Sequence, residues 1–127
     1  MKIPLHIESA SKAAIETIMG EVRGVKAVLI STEDGFEVAA RTENTAQISR
    51  LSAMASSLAA LGSIAGEESN LGACANVSIE AAHGHIIMLQ AHNPAMGLIV
   101  SVITNKEAVL GQVLYFAKNA AKQLSAA

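Results

Sequence analysis

Aromatic residues are almost missing from this chain of 127: two Phe, one Tyr and no Trp. Phe36, Tyr115 and Phe116 alone offer no set of rings on which nucleic-acid bases could stack. A basic block is missing too. Nine Lys and Arg are scattered among eleven Asp and Glu, for a net charge of −2, so no clustered positive surface is available to neutralise phosphates. No nucleic-acid partner is expected. Cysteine occurs once, at Cys74, which excludes an internal disulfide and points to a reducing compartment. The first eight residues, Met1 to Glu8, lack the apolar run of a signal peptide. The uncharged stretch Leu51 to Gly66, sixteen residues, is shorter than the roughly 20 apolar residues a bilayer demands, and it holds four serines. A cytoplasmic protein without membrane insertion is the expectation.

What the chain has in quantity is aliphatic side chains. It is 51% hydrophobic and only 16% charged, against about 25% charged in an ordinary soluble domain. That is too apolar for disorder, and sparsely charged for a surface that faces water everywhere. A length of 127 residues suits one domain.

Hydrophobic spacing predicts the order α-β-β-α-β-β-β-α. A first helix spans about Ser9 to Val22, with Ala14, Ile15, Ile18, Met19 and Val22 on one stripe, a serine cap and Gly24 as its stop. Strand one runs Val25 to Thr32, and Asp34-Gly35 signals a type I′ hairpin turn into strand two, Phe36 to Arg41. A long second helix covers Asn44 to about Gly66. Strands three, four and five span Gly72 to Glu80, His85 to His92 and Leu98 to Thr104. Thr104 and Glu107 read as a capping box that starts the last helix, Asn105 to Leu124.

Strand polarity orders the sheet. Strands one, four and five are apolar at odd and even positions alike, which marks burial on both faces, whereas three carries Asn76, Ser78 and Glu80 on one side. With hairpins keeping one beside two and three-four-five together, the order is 2-1-5-4-3. The expected fold is an α/β (α+β) three-layer sandwich, a five-stranded antiparallel sheet with helices on both faces.

The second helix is unusual. Ile48, Leu51, Ala55, Leu58, Gly62 and Ala65, flanked by Met54 and Leu61, form a wide apolar face suited to the sheet. The opposite face carries Ser49, Ser52, Ser56, Ala59, Ala60 and Ser63, and no charge lies between Arg50 and Glu67. Surface helices normally carry Glu and Lys there. A small, chargeless back predicts close approach of a second helix. Strand three, with Ala73, Ala75 and Val77, lacks the Lys or Pro that usually guards a sheet edge. One two-fold contact covers both features, so a homodimer is expected through those nine residues.

Motifs for chemistry are not found. The glycines form neither G-x-G-x-x-G nor a P-loop. His83 and His85 lie near Glu80 and His92, but no further ligand completes a metal set. Cys74 reads as a small buried hydrophobe, Ser56-Ser57 sits mid-helix without an activating group, and no carboxylate pair shares an apolar setting. No catalysis, no cofactor and no metal are expected.

The segment Gly24 to Val38, with its G-V-x-x-V-x-I-x-x-x-D-G start, resembles the Roadblock family of dynein-associated light chains and bacterial relatives. So do the small-residue helix Ile48 to Ala65 and the stretch Leu98-Ile99-Val100-Ser101-Val102 before a C-terminal helix. The resemblance runs over residues 9–124, leaving 1–8 as an N-terminal extension and 125–127 as a tail. It implies the same sheet order, homodimers built from the second helix and strand three, and a partner or regulator of a Ras-like small GTPase that binds no nucleotide itself. Within that frame Arg41 and Arg50 have no motif around them and read as surface arginines. The partner surface falls on the exposed flank of the second helix at Gln47, Arg50, Met54 and Ser57. A small-molecule-sensing α/β sandwich module is the alternative, opposed by an aliphatic core without a convergent polar cluster.

Overall fold

The computed structural model describes residues 2–127. The elements are α1 (Leu5–Glu21), β1 (Val25–Thr32), β2 (Glu37–Arg41), a 3-10 turn (Thr45–Gln47), α2 (Ile48–Glu68), β3 (Val77–Ala81), β4 (Gly84–His92), β5 (Gly97–Asn105) and α3 (Leu110–Ala126). All five strands pair antiparallel in the order β2-β1-β5-β4-β3. The strands expected to be apolar on both sides are the three inner ones, buried nearly throughout.

α1 and α3 pack together on one face of the sheet, over a core of nineteen buried residues that includes Ile7, Ile18, Ile30, Leu89, Val100 and Leu124. α2 lies on the other face, over a cluster of only four, Ala55, Ala59, Met88 and Ile99. The two faces are therefore unequal. Most of the hydrophobic stabilisation, about 25 cal/mol per Å² of apolar surface buried, comes from the α1/α3 side.

Several boundaries differ from expectation, each for a local reason. α1 starts at Leu5, not Ser9, because Pro4 precedes it. Proline suits a helix start, where no N–H partner is required, and the Pro4 carbonyl accepts from Ile7 and Glu8. Ile7 then joins the apolar stripe and is fully buried, so residues 5–8 are part of the helix, not an extension ahead of it. The β1–β2 turn is not type I′, since Asp34 keeps negative φ and only Gly35 is positive (+97°). The Thr32 carbonyl accepts from the Gly35 N–H at 3.0 Å, and the Thr32 N–H donates to the Phe36 carbonyl at 2.8 Å. The result is a three-residue loop closed by a left-handed glycine. An irregularity opposite Ser31 then breaks the alternation of β2: Val38 and Ala39 both reach the α1/α3 core, and Phe36 is left exposed.

The capping box at Thr104 does not form. Thr104 is buried in β5, where its Oγ1 accepts from the His85 N–H at 3.3 Å, and Asn105 Oδ1 instead accepts from Glu107 N–H at 2.9 Å. α3 begins only at Leu110. Its far end is held by buried Asn93, whose amide donates to the Leu124 and Ala127 carbonyls at 2.7 and 3.0 Å.

The placement of Ile7 has a measurable consequence. Ile7→Ala should cost about 3 kcal/mol of unfolding free energy through the cavity it leaves. Leu5→Ala, on the exposed side of the same turn, should stay within about 0.5 kcal/mol. Urea denaturation of the two variants, giving equal midpoints, would show that this turn lies outside the cooperative fold.

Candidate functional site

The outer side of α2 is the most unusual surface, and its origin lies in how the helix meets the sheet. The residues on the line of closest approach are small. Ser52, Ala55 and Ala59 are buried, and Ser56 is half-buried with its Oγ donating to the Glu33 carbonyl in the β1–β2 loop. Ser52 Oγ donates back to the Ile48 carbonyl at 2.9 Å, which satisfies it without a cross-layer partner. Further along, a Cβ on Gly62 would sit 2.9 Å from Val77 Cγ2 and 3.0 Å from Cys74 Sγ, and one on Gly66 would meet the Gly72 carbonyl. Glycine there lets the segment after the helix fold back against it.

Two expectations are corrected by this packing. Ser52 and Ala59, assigned to a dimer-facing back, are inside the protomer and touch the sheet layer, so neither can meet a second copy. Ser56 and Ser63 are half-buried, while Ser49 and Ala60 are exposed. Conversely, Met54 and Leu61, assigned to the flanks of the sheet face, are 46% and 61% exposed, and Ile64 is 56% exposed. The helix is turned so that size, not apolarity, selects the inner side. Ala73 and Ala75 are exposed but not in a strand, because β3 begins only at Val77, which is half-buried.

Projected at helical spacing, Arg50, Met54, Ser57, Leu61 and Ile64 fall on one outward line. Arg50, Ala53, Met54, Ser57 and Leu58 line an open, mainly apolar depression of about 380 Å³. Three of the four expected partner residues, Arg50, Met54 and Ser57, line it together, and Gln47 is exposed one turn earlier in the chain. Beside the helix, Ile103, Ile86 and Ile79 stand in register across β5, β4 and β3 and are all half-buried, on the face α2 leaves partly open. Leu71, just past the helix, is 83% exposed. Apolar exposure of this density is unusual on a monomer surface.

The polar groups do not assemble a reaction centre. Arg41 is held by Glu16 of α1 at 2.6 Å, on the opposite side of the sheet from α2. Arg50 has no ion-pair partner among the described residues. His85 lies 3.6 Å from Glu80, and among the described residues no three His, Cys, Asp or Glu come together in a metal-binding group. The largest cleft, about 710 Å³, opens between the start of α2 and the ends of β1, β2 and β5. Lys26, Arg41, Glu43 and Gln47 lie around its rim.

The segment Thr45–Glu68 is long and apolar enough to cross a membrane by length and composition alone. Its placement is that of a layer helix: it lies along one sheet face and is joined at both ends to strands of that same sheet.

Three comparisons bear on this geometry. The family model of the Roadblock/LC7 domain matches residues 17–101. No curated protein matches in sequence. Among solved structures, the Roadblock/LC7 domain from Streptomyces avermitilis superposes with a TM-score of 0.80 at 18% identity, over 88% of this chain and 92% of that one. MglB of Myxococcus xanthus gives 0.83 at 14% identity, over 99% and 92%. The gliding protein MglB from Thermus thermophilus gives 0.83 at 14%, over 98% and 92%. At such identities the likeness is one of fold.

The rotation of α2 is open to test by overpacking. Ala59→Leu should destabilise the chain by about 1–3 kcal/mol, because it forces the helix off the sheet, and Ala60→Leu, one position along and exposed, should be near neutral. Chemical denaturation ranking the two in the reverse order would mean that the inner side had been misassigned.

Proposed function

The chain belongs to the Roadblock/LC7 domain family, and on that premise we propose that it is a non-enzymatic, homodimeric regulator or scaffold that binds a Ras-like small GTPase in the cytoplasm and modulates its activity or location. The observation that supports this most is the uncovered apolar strip of α2, from Met54 to Ile64, beside the half-covered row Ile79, Ile86 and Ile103.

In this proposal the strip has two users. Its C-terminal half, Leu61 and Ile64 with the margin of β3, meets a second copy about a two-fold axis, the commonest way to close a self-complementary surface. Each side chain of this size removed from water contributes about 1 kcal/mol when it starts half-exposed. Ser49, Ala60, Ala73, Ala75 and Val77 keep a place at or near this contact, whereas Ser52 and Ala59 do not. The N-terminal half, Gln47, Arg50, Met54 and Ser57, then borders the paired helices as a platform for the GTPase. Any effect on hydrolysis would come through positioning of the GTPase's own loops. A free guanidinium can stabilise developing phosphate charge, but Arg50 has no neighbour that would hold it toward a nucleotide, and it acts here as a docking contact.

Light scattering after gel filtration should give twice the 13.1 kDa of one chain. The double substitution Leu61→Lys, Ile64→Lys should give a folded monomer by circular dichroism. A wild-type chain that stays monomeric at tens of micromolar (~10⁻⁵ M, where modest interfaces assemble) would sink the dimer.

Binding to candidate small GTPases loaded with a GTP analogue or GDP should differ between the two nucleotides. Arg50→Glu should weaken it about tenfold, the loss of roughly 1.4 kcal/mol. Equal binding in both states would reduce the role to that of a scaffold, and no binding to any such GTPase by titration calorimetry would remove the partner from the proposal.

A further inference from the structure

β3 stops early, and β4 does not. Their ladder runs from Ala81↔Gly84 to Val77↔Met88 and ends there, while β4 continues to His92 and stays paired with β5 to its last residue. The outer margin of β4 over Leu89–His92 consequently has no strand beside it. The chain that could fill the place is already close. Cys74, Ala75, Asn76 and Val77 face Met88, Leu89 and Gln90 across a gap of about 10 Å³, closed by Ala59 and Ile99. Such a gap has room for about one water molecule.

Among the described residues, Gly72 to Asn76 make no backbone–backbone hydrogen bond. Backbone donors and acceptors near a sheet are ordinarily paired, so this segment is incomplete as it stands. Continued at the same register, Asn76 would fall opposite Leu89, Ala75 opposite Gln90, Cys74 opposite Ala91 and Ala73 opposite His92. Nothing in Ala73-Cys74-Ala75-Asn76 forbids a strand: it contains no proline and no glycine.

Side-chain contacts hold it off: the Cys74 thiol donates to the Asn76 carbonyl at 3.4 Å, the His92 N–H that Ala73 would meet donates to Ser125 Oγ at 3.1 Å, and Cys74 packs against α2. Val77 faces α2, so strand alternation would turn Cys74 to the opposite side of the sheet. Instead Cys74 lies half-buried toward α2, its Sγ in the space that a Cβ on Gly62 would enter. Zipping the segment onto β4 therefore requires Cys74 to leave the helix. In a lone chain the exchange returns little, because the new strand would present its other margin to water. A second copy pairing along that margin removes the objection.

We infer that Ala73–Asn76 is a strand extension held in reserve, which zips onto β4 when the β3 margin pairs with a second copy, so that assembly lengthens the strand it uses. The inference rests on the homodimer proposed above.

The test is NMR across a dilution series that spans dimer and monomer, with amide exchange read on the same samples. In the dimer, cross-strand NOEs should link Ala75 to Gln90, and the amides of 73–76 should exchange at least about tenfold more slowly than in the dilute chain. Ala75→Pro, which leaves no N–H to pair, should weaken self-association about tenfold while leaving the melting of the dilute chain unchanged. A dimer without those NOEs, or an Ala75→Pro chain that dimerises like the wild type, would overturn the zipping and leave the dimer intact. A chain that never dimerises would overturn both.

Discussion

A helix rides on a sheet at a height set by the side chains between them, and along the inner line of α2 none is larger than serine. Ser52, Ala55, Ser56, Ala59, Gly62 and Gly66 bring the helix down until Ser56 reaches the Glu33 carbonyl and Gly66 nears that of Gly72. At that height a leucine fits only at the margin, as Leu58 does against the cluster of Ala55, Ala59, Met88 and Ile99. Met54, Leu61 and Ile64 are turned to the outside because the inside has no volume for them. The apolar strip that marks the surface is thus a by-product of close packing on the other side of the same helix.

This constraint divides the labour of the two faces. The α1/α3 layer, with its aliphatic core, fixes the sheet and would do so with little help from α2. The α2 layer is thin, and beneath it Ser31 and Ser101 point from β1 and β5 toward the helix side without a protein partner for their hydroxyls, against one such group, Ser11 of α1, on the other face. Each such buried group costs on the order of 1–3 kcal/mol when unsatisfied. The α2 layer is consequently the less stable one, and elements held this weakly are the first to open.

How much of this could be read from residues follows the same division. The sheet order was legible because burial on two faces leaves an unambiguous mark: Val28 and Leu29, or Ile99 and Val100, cannot both be apolar on a half-solvated strand. The rotation of α2 was not. Hydrophobic periodicity locates an inner face by contrast with a polar one, and a helix with no charge between Arg50 and Glu67 offers no contrast. The available signal was size. Gly62 and Gly66 one turn apart mark close approach, and the serines and alanines in line with them mark its extent. At the ends of elements the misses came from competition for one side chain. Thr104 had the spacing of a cap but was already bonded within the sheet, and Pro4 opened α1 before any serine could. The early end of β3 was illegible because Cys74 settles against Gly62 of the preceding helix, a contact that strand alternation cannot announce.

Placing close packing and an exposed apolar strip on opposite sides of one helix also separates what each can tolerate. A change at Arg50, Met54 or Ser57 alters what the surface fits without disturbing the height of the helix, since none of these side chains lies beneath it. A change at Ser52, Ala55 or Ala59 moves the helix and with it every outward residue at once, including the exposed strip and the segment that Gly62 clasps. The outer line can therefore vary residue by residue, while the inner line acts as a single setting. The cost of the arrangement is that stability on that side is left to whatever covers it.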